Sequence, residues 1–145
     1  ADGFDAGLYV EFPFQRTVAT KLRDRLIARN ERFGPARYNY TELPPQPRQH
    51  VEGVLHPSVQ PNWDNTPRST RRGAVALNTS PAAFQRHVAD ALQRECAREA
   101  DPAKRLVVVK SWNEWAEGNY LEPDAQHGRQ WLQAVQRARQ EVLGS

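Results

Sequence analysis

The sequence has no methionine and a single cysteine, and only Lys21, Lys104 and Lys110 among its 20 basic residues are lysines. One cysteine excludes an intrachain disulfide framework. No apolar run approaches the roughly 18 residues of a membrane span, so we expect no transmembrane segment. The chain has no glycine-rich phosphate loop, and its four histidines show no metal-ligand spacing. We therefore expect no metal, nucleotide site or other cofactor.

The remaining composition is ordinary for one globular domain of 145 residues, with 39% hydrophobic and 26% charged residues. The net charge of +3 is carried by arginines that are scattered and alternate with acids. Such a pattern favours solvated helix faces, and we expect no nucleic-acid partner. The start at Asp2-Gly-Phe-Asp5, without an initiator methionine, is typical of mid-domain sequence, so we expect a piece of a longer cytoplasmic protein.

Apolar patterns alternate between strand and helix periodicity along the chain. They predict strands over 6–12, 37–40, 51–56 and 106–110, a loop over 61–73, and helices over 17–32, 80–100 and 128–143. This alternation predicts an α/β fold with about four parallel strands and flanking helices. A complete eight-stranded barrel takes about 250 residues, so the chain could hold only part of one.

The most informative segment is Ser111–Asp124, which directly follows the predicted strand at 106–110. It contains three glutamates, Glu114, Glu117 and Glu122, together with the indoles of Trp112 and Trp115. Parallel α/β folds place active sites at the carboxyl ends of their strands. Carboxylates supply acid–base chemistry, and aromatic faces stack on the C–H-rich faces of sugar rings. The segment therefore predicts a carbohydrate site.

The spacing leaves alternatives open. Glu114 and Glu117 would point to opposite faces of an ideal strand, so their convergence requires a bend at Trp115-Ala116, with Gly118 free to take unusual backbone angles. Ser111-Trp-Asn-Glu114 also fits a helix capping box, in which Glu114 only caps a helix. Indoles such as Trp112 and Trp115 belong more often to a core than to a ligand-binding surface. Asn113 could orient a carboxylate or a sugar hydroxyl, or be a turn residue.

Two further segments carry polar and aromatic side chains. Pro61-Asn-Trp-Asp-Asn-Thr-Pro-Arg68 combines an indole, a carboxylate, amides, a hydroxyl and a guanidinium, which is typical of a polar ligand pocket and also of an ordinary loop. Glu11 lies at the end of the first predicted strand. Because ligand-binding loops gather at strand carboxyl ends, we expect Trp63, Asp64 and Arg68 at the same end of the sheet as Glu114.

The chain carries, in order, Gly3-Phe-Asp-Ala6, Val10-Glu-Phe-Pro13, Trp63-Asp-Asn-Thr-Pro-Arg68, Ser111-Trp-Asn-Glu-Trp-Ala-Glu-Gly118, Leu121-Glu-Pro-Asp124 and Gly128-Arg129. Together these segments resemble the WbsX-type glycosyltransferase family, which belongs with the glycoside hydrolase family 99-like domains, relatives of endo-α-mannosidases. The resemblance implies a (β/α)₈ barrel. Residues 1–145 match only its C-terminal portion, so the N-terminal half of the barrel would be missing.

The resemblance also implies roles for the carboxylates. In the related endo-α-mannosidases, the glutamates matching Glu114 and Glu117 carry a retaining mechanism. The first deprotonates the sugar's own 2-hydroxyl, and the second acts as general acid and then base at the leaving oxygen. One carboxylate must then be ionised while its neighbour holds a proton. This differs from the common retaining scheme, in which a carboxylate itself is the nucleophile.

We therefore expect a carbohydrate-active enzyme for glycosyl transfer in O-antigen or other cell-surface polysaccharide biosynthesis, with a glycan or sugar as its substrate. The alternatives are a retaining endo-glycosidase and a non-catalytic glycan-binding module. The candidate catalytic residues are Glu114 and Glu117, and the candidate substrate-binding residues are Glu11, Trp63, Asp64, Asn65, Arg68, Trp112, Asn113, Trp115, Tyr120 and Glu122. A partial barrel leaves strand edges unpaired, so we expect the chain alone to be marginally stable and inactive.

Overall fold

The computed structural model describes residues 6–10, 22, 25–26, 34–40 and 53–144. The described strands are β1 (Ala6–Val10), β2 (Ala36–Asn39), β3 (Val54–Val59), β4 (Ala74–Leu77), β5 (Val108–Val109), β6 (Asn113–Glu114) and β7 (Asn119–Tyr120). The described α-helices are α1 (Thr66–Ser69), α2 (Pro81–Arg98) and α3 (Gln130–Leu143), and 3₁₀ turns cover Thr70–Arg72, Pro102–Lys104 and Trp115–Glu117. Within these ranges, no helix is both long and apolar enough to cross a membrane.

Three parallel strands form the main sheet, in the order β1-β3-β5. Leu8 of β1 lies opposite His56 of β3, and Val59 of β3 lies opposite Val109 of β5. β3 and β5 pair in parallel, so both strands end at the same edge of the sheet, and the connection between them contains α1, β4 and α2. The predicted α/β class, with parallel strands and flanking helices, is confirmed.

The strand arrangement differs from the single sheet of about four parallel strands that the sequence predicts. β2 and β4 pair with each other as a separate parallel ladder, in which Ala36 lies opposite Ala74. β6 and β7 form an antiparallel hairpin, in which Asn113 lies opposite Tyr120. An apolar run identifies a strand, but the choice of partner depends on residues far away in the sequence.

Strand β3 does not end at Pro57 as the sequence predicts, because Pro57 lies inside the strand and opposite Tyr9 of β1. On its other side β3 pairs with β5 only through Ser58 and Val59. Pro57 has no backbone N–H to donate, but it does not pair with β5, so the ladder between β3 and β5 loses no hydrogen bond there. β5 is shorter than the predicted strand over 106–110, and the side chain of Leu106 before it is exposed.

Helix α2 begins where the sequence predicts the helix over 80–100; Ser80 is its N-cap and Pro81 lies in its first turn. The hydroxyl of Ser80 accepts a hydrogen bond from the backbone N–H of Ala83 at 3.1 Å, which satisfies one donor of the first turn. The predicted closing helix over 128–143 is α3. The predicted helix over 17–32 lies largely outside the described residues, although residues 22 and 25–26 are helical.

The main core lies between α2, α3 and the sheet. The Phe84 and Trp131 rings meet edge to face with centroids 5.9 Å apart, and both side chains are buried. Ala91 of α2 and Ala134 and Ala138 of α3 are fully or almost fully buried. Small side chains at these positions let the two helices pack closely, which anchors them on the face of the sheet.

Glu95 of α2 is buried and charged, with only 2% of its surface exposed. Its carboxylate accepts hydrogen bonds from His56 Nδ1 at 2.7 Å, Arg98 Nη2 at 2.6 Å and the backbone N–H of Leu106 at 3.0 Å. Burial alone would raise the pKa of Glu95, but the hydrogen bonds from Arg98, Leu106 and His56 outweigh it and lower the pKa to about 2. The carboxylate therefore ties α2 to β3 and to the segment before β5.

We expect Glu95→Gln to lower the free energy of unfolding by about 3 kcal/mol at neutral pH, because the donors around a neutral amide lose their charged acceptor. The folded-state pKa lies below the ordinary value of 4.5, so the stabilisation is complete above pH 4.5 and is lost as the pH falls towards 2. Urea unfolding of wild type and variant should therefore converge on acidification. Glu141→Gln, on the exposed face of α3, is the control and should change stability by less than about 0.5 kcal/mol. Equal losses in both variants would contradict this role of Glu95.

Candidate functional site

The candidate site lies where β3 and β5 end at one edge of the sheet. The ladder continues one step beyond β5, because the backbone N–H of Lys110 donates to the carbonyl oxygen of Val59 at 2.8 Å. The loops that follow these strands are joined by a hydrogen bond from the backbone N–H of Asp64 to the carbonyl oxygen of Glu117 at 2.7 Å. The predicted proximity of the two loops is confirmed by this bond.

The segment after β5 folds into a hairpin of β6, a 3₁₀ turn over Trp115–Glu117, and β7. The bend falls where the sequence predicts it, and Gly118 takes a left-handed conformation with φ of +59°. The hydroxyl of Ser111 accepts the backbone N–H of Glu114 at 3.1 Å, as in a capping box. However, a hairpin follows instead of an α-helix, so helix capping does not explain Glu114.

Glu117 is held by two cations. Its carboxylate forms an ion pair with Arg68 and a second one with Lys110, whose Nζ lies 3.3 Å from Oε2. The same Nζ lies 4.3 Å from the centre of the Trp63 ring, a cation–π contact. Glu114, by contrast, is half-buried, and no described residue forms a hydrogen bond or ion pair with its carboxylate. The two carboxylates therefore differ sharply in their electrostatic surroundings.

The hairpin also presents an exposed aromatic surface, which we call the aromatic platform and define as Trp112, Trp115 and Tyr120. The Trp115 and Tyr120 rings stack with centroids 3.7 Å apart and an interplanar angle of 18°. Trp112 and Trp115 are 52% and 48% exposed, so neither indole belongs to the core of the described residues. A stacked pair with one indole face in solvent is suited to contact the flat apolar face of a ligand.

Glu122 holds the aromatic platform in place. One carboxylate oxygen accepts the indole N–H of Trp112 at 3.1 Å, and the other accepts that of Trp115 at 2.7 Å. The sequence predicts Glu122 as a substrate-binding residue. Both of its oxygens accept hydrogen bonds from indoles, so Glu122 orients the rings.

Asp64 and Asn65 shape their own loop. Asp64 Oδ1 accepts both the backbone N–H and the hydroxyl of Thr66, at 2.9 and 2.6 Å. Asn65 Oδ1 accepts the backbone N–H of Ala74 at 2.7 Å. The region is also more ordered than the predicted irregular loop, since it contains α1, a 3₁₀ turn and a bridge between Asp64 and Val75.

The other predicted site residues have different positions. Asn113 is exposed at the start of the hairpin, opposite Tyr120. Glu11 lies outside the described residues. The structure thus brings Arg68 and Lys110 together at Glu117, with Trp63 in contact with Lys110. It also places Trp112 and Trp115 on Glu122.

Sequence reasoning missed Lys110, Asp124 and two buried amides. In the sequence, Lys110 is marked only as a basic residue at the end of an apolar run, directly before the segment Ser111–Asp124. The side chains of Gln60 and Asn119 are fully buried, and their amide groups have no hydrogen-bond partner among the described residues. No periodicity identifies these amides, because their burial depends on the packing of the two loops.

Asp124 fastens the hairpin to α3. Its carboxylate accepts the backbone N–H groups of Gln126 and His127 and the indole N–H of Trp131. Burial alone would raise the pKa of Asp124, but these hydrogen bonds lower it. Burial and the nearby charge of Asp124 raise the pKa of Tyr120, so the platform hydroxyl stays protonated at neutral pH.

We expect Glu122→Ala to release both platform indoles while leaving stability within about 1 kcal/mol, because the bonds are at the surface. In a proton–nitrogen correlation spectrum the chain gives four indole N–H signals, one per tryptophan. The signals of Trp112 and Trp115 should move towards the positions of solvent-exposed indoles. The Trp131 signal, held by Asp124, is the internal control and should stay. Unchanged Trp112 and Trp115 signals would contradict the role of Glu122.

The chain matches the family model described as Glycosyltransferase WbsX over residues 5–135. It is also 37% identical over 138 residues to the uncharacterized protein WxcX of Xanthomonas campestris pv. campestris, in strain B100 and in strain ATCC 33913. These alignments cover 94% of the chain and 19% of each relative, so the chain spans about a fifth of the length of the curated relatives that it matches. No solved structure matches it significantly. The match over most of its residues shows that the chain belongs to the WbsX glycosyltransferase family.

Proposed function

We propose that the chain supplies part of the active site of an enzyme that transfers glycosyl groups during the synthesis of O-antigen or another cell-surface polysaccharide. The observation that carries this proposal is the aromatic platform next to Glu114 and Glu117 on one hairpin. Stacked aromatic rings suit the apolar face of a sugar, and the carboxylates provide groups that can accept or donate protons. Membership of the glycosyltransferase family supports the same conclusion.

In this proposal Glu114 and Glu117 are the catalytic pair. Glu114 accepts a proton from a sugar hydroxyl, and Glu117 acts at the leaving oxygen. The hairpin supports this division by making the two side chains unequal, since only Glu117 contacts Arg68 and Lys110. Two carboxylates in different surroundings are a common basis for different protonation roles.

We also propose that the chain is the C-terminal part of a (β/α)₈ barrel. The support for this proposal is the parallel order β1-β3-β5 with α2 packed against the sheet, although β4, which lies between β3 and β5 in the sequence, pairs with β2 in a separate ladder. The leucines at positions 8, 22, 26 and 106 are each about half exposed or more, as expected for surfaces that further strands and helices would cover. The much greater length of the WxcX relatives supports the same view.

We expect Glu117→Gln, introduced into the chromosomal gene, to abolish the surface polysaccharide without lowering the protein level. Loss of an acid–base group costs about 10²–10⁴ in rate, so residual synthesis should be under about 1%. Gel electrophoresis of extracted polysaccharide and an immunoblot of the protein measure both quantities, with Glu141→Gln as the matched control. Chains longer than normal in the variant would instead favour the endo-glycosidase. An unchanged polysaccharide profile would exclude a catalytic role of Glu117 and favour a binding module.

The aromatic platform gives a separate prediction. Trp115→Ala should weaken binding of the purified protein to the extracted polysaccharide by roughly tenfold or more, because an exposed indole that anchors a ligand carries much of the binding energy. Trp115→Phe, which keeps an aromatic face, should lose much less. Isothermal titration calorimetry measures both affinities. Equal affinities for wild type and Trp115→Ala would remove the platform from the glycan site.

A further inference from the structure

Each ring of the aromatic platform has its polar group at a carboxylate. The indole N–H groups of Trp112 and Trp115 donate to the two oxygens of Glu122, at 3.1 and 2.7 Å. The hydroxyl of Tyr120 interacts with the carboxylate of Asp124. An indole whose N–H donates to a negative charge is polarised, and its face becomes more negative. The ring faces of the platform are therefore better suited to a cation than those of isolated aromatic rings.

The hairpin that carries the platform is strongly acidic. Residues 111–124 contain four acids and no lysine or arginine. Only Glu117 among these acids has cations as partners, because Arg68 and Lys110 both pair with it. The other three carboxylates form no ion pair with any lysine or arginine in the part of the chain that the structure describes. Negative charge therefore remains uncompensated on the segment that presents the rings.

An ammonium group matches this surface better than an anionic or a neutral group does. Its positive charge is attracted to the negative ring faces, and its N–H groups can donate to carboxylate oxygens. A phosphate or carboxylate group would be repelled by the charges of Glu114 and Glu122. A neutral hydroxyl has a single donor and no charge for the ring faces to attract. Charge complementarity thus selects a cationic ligand.

We propose that the aromatic platform binds a sugar residue that carries a free, protonated amino group. This inference rests on the proposed glycan-processing function and names the substrate class of the same site. The sugar ring covers an indole face, and the Glu122 charge beside the rings attracts the ammonium group. Glu114 stays available for the proton transfer of the proposed reaction. The net charge of +3 for the whole chain conceals this surface, because the hairpin itself contains no lysine or arginine.

The test is calorimetric titration of the purified protein with glucosamine trisaccharide and with its fully N-acetylated form. The two ligands share their sugar rings and differ in charge at a mildly acidic pH, at which the amines are protonated. We expect wild type to bind the charged form at least about tenfold more tightly. The ratio of the two affinities should fall to about threefold or less in Glu122→Gln and in Trp115→Ala.

The affinity ratio separates recognition of charge from structural damage. A variant that only disturbs the hairpin binds both ligands less tightly and keeps the ratio of wild type. Glu141→Gln, on the exposed face of α3, is the charge-matched control and should also keep that ratio. A wild-type protein that binds neither ligand, or both equally, would overturn the inference. An unchanged ratio in Glu122→Gln or in Trp115→Ala would overturn it as well.

A second arm separates an amino sugar from a basic protein segment, which offers the same ammonium group. N-acetylated trilysine has as many ammonium groups as glucosamine trisaccharide. It should bind at least about tenfold more weakly, because it has no ring face to cover an indole. Binding as tight as that of the trisaccharide would assign the platform to a basic peptide and overturn the amino sugar.

The inference and the proposed function can fail separately. If wild type binds both trisaccharides equally while Glu117→Gln abolishes the surface polysaccharide, the amino-sugar inference is wrong and the proposed function stands. If the preference for the charged trisaccharide holds while Glu117→Gln leaves the polysaccharide unchanged, the amino-sugar site stands and the catalytic function is wrong.

Discussion

The short parallel ladder between β3 and β5 is the interaction on which the candidate site depends. It joins Ser58 to Val108 and Val59 to Val109, and the backbone bond from Lys110 to Val59 extends it by one step. A parallel ladder fixes both the direction and the register of its strands. The loops after β3 and β5 must therefore leave the sheet side by side. The bond between Asp64 and Glu117 then holds the loops together.

The same strands are held at their other ends by a buried charge. Glu95 receives hydrogen bonds from His56 on β3 and from the backbone of Leu106 before β5, so it connects both strands to α2. A buried carboxylate without donors would be very unfavourable. With its donors in place, the Glu95 carboxylate fixes the first part of β3 and the segment before β5, while the ladder fixes the ends of both strands. This double restraint gives the loops a rigid base without contributing to the site itself.

The site combines two surfaces with different physical origins. The aromatic platform is local, because its rings and Glu122 all belong to one hairpin. The ion cluster is long-range, because Arg68 lies 49 residues before Glu117. The platform forms through contacts within the hairpin, whereas the cluster forms only when the two loops meet.

The sequence by itself determined the α/β class, the start of α2 at Ser80 and the bend before Gly118. These features follow from local rules: apolar periodicity, capping chemistry and the conformational freedom of glycine. It also identified the carboxylates and indoles of the hairpin, because they lie within a dozen residues of one another. The tertiary structure alone decided that β2 and β4 pair apart from the main sheet, that Pro57 fits inside β3, and that Arg68 and Lys110 meet at Glu117. Each of these depends on which distant segments come into contact, and local sequence patterns carry no information about that choice.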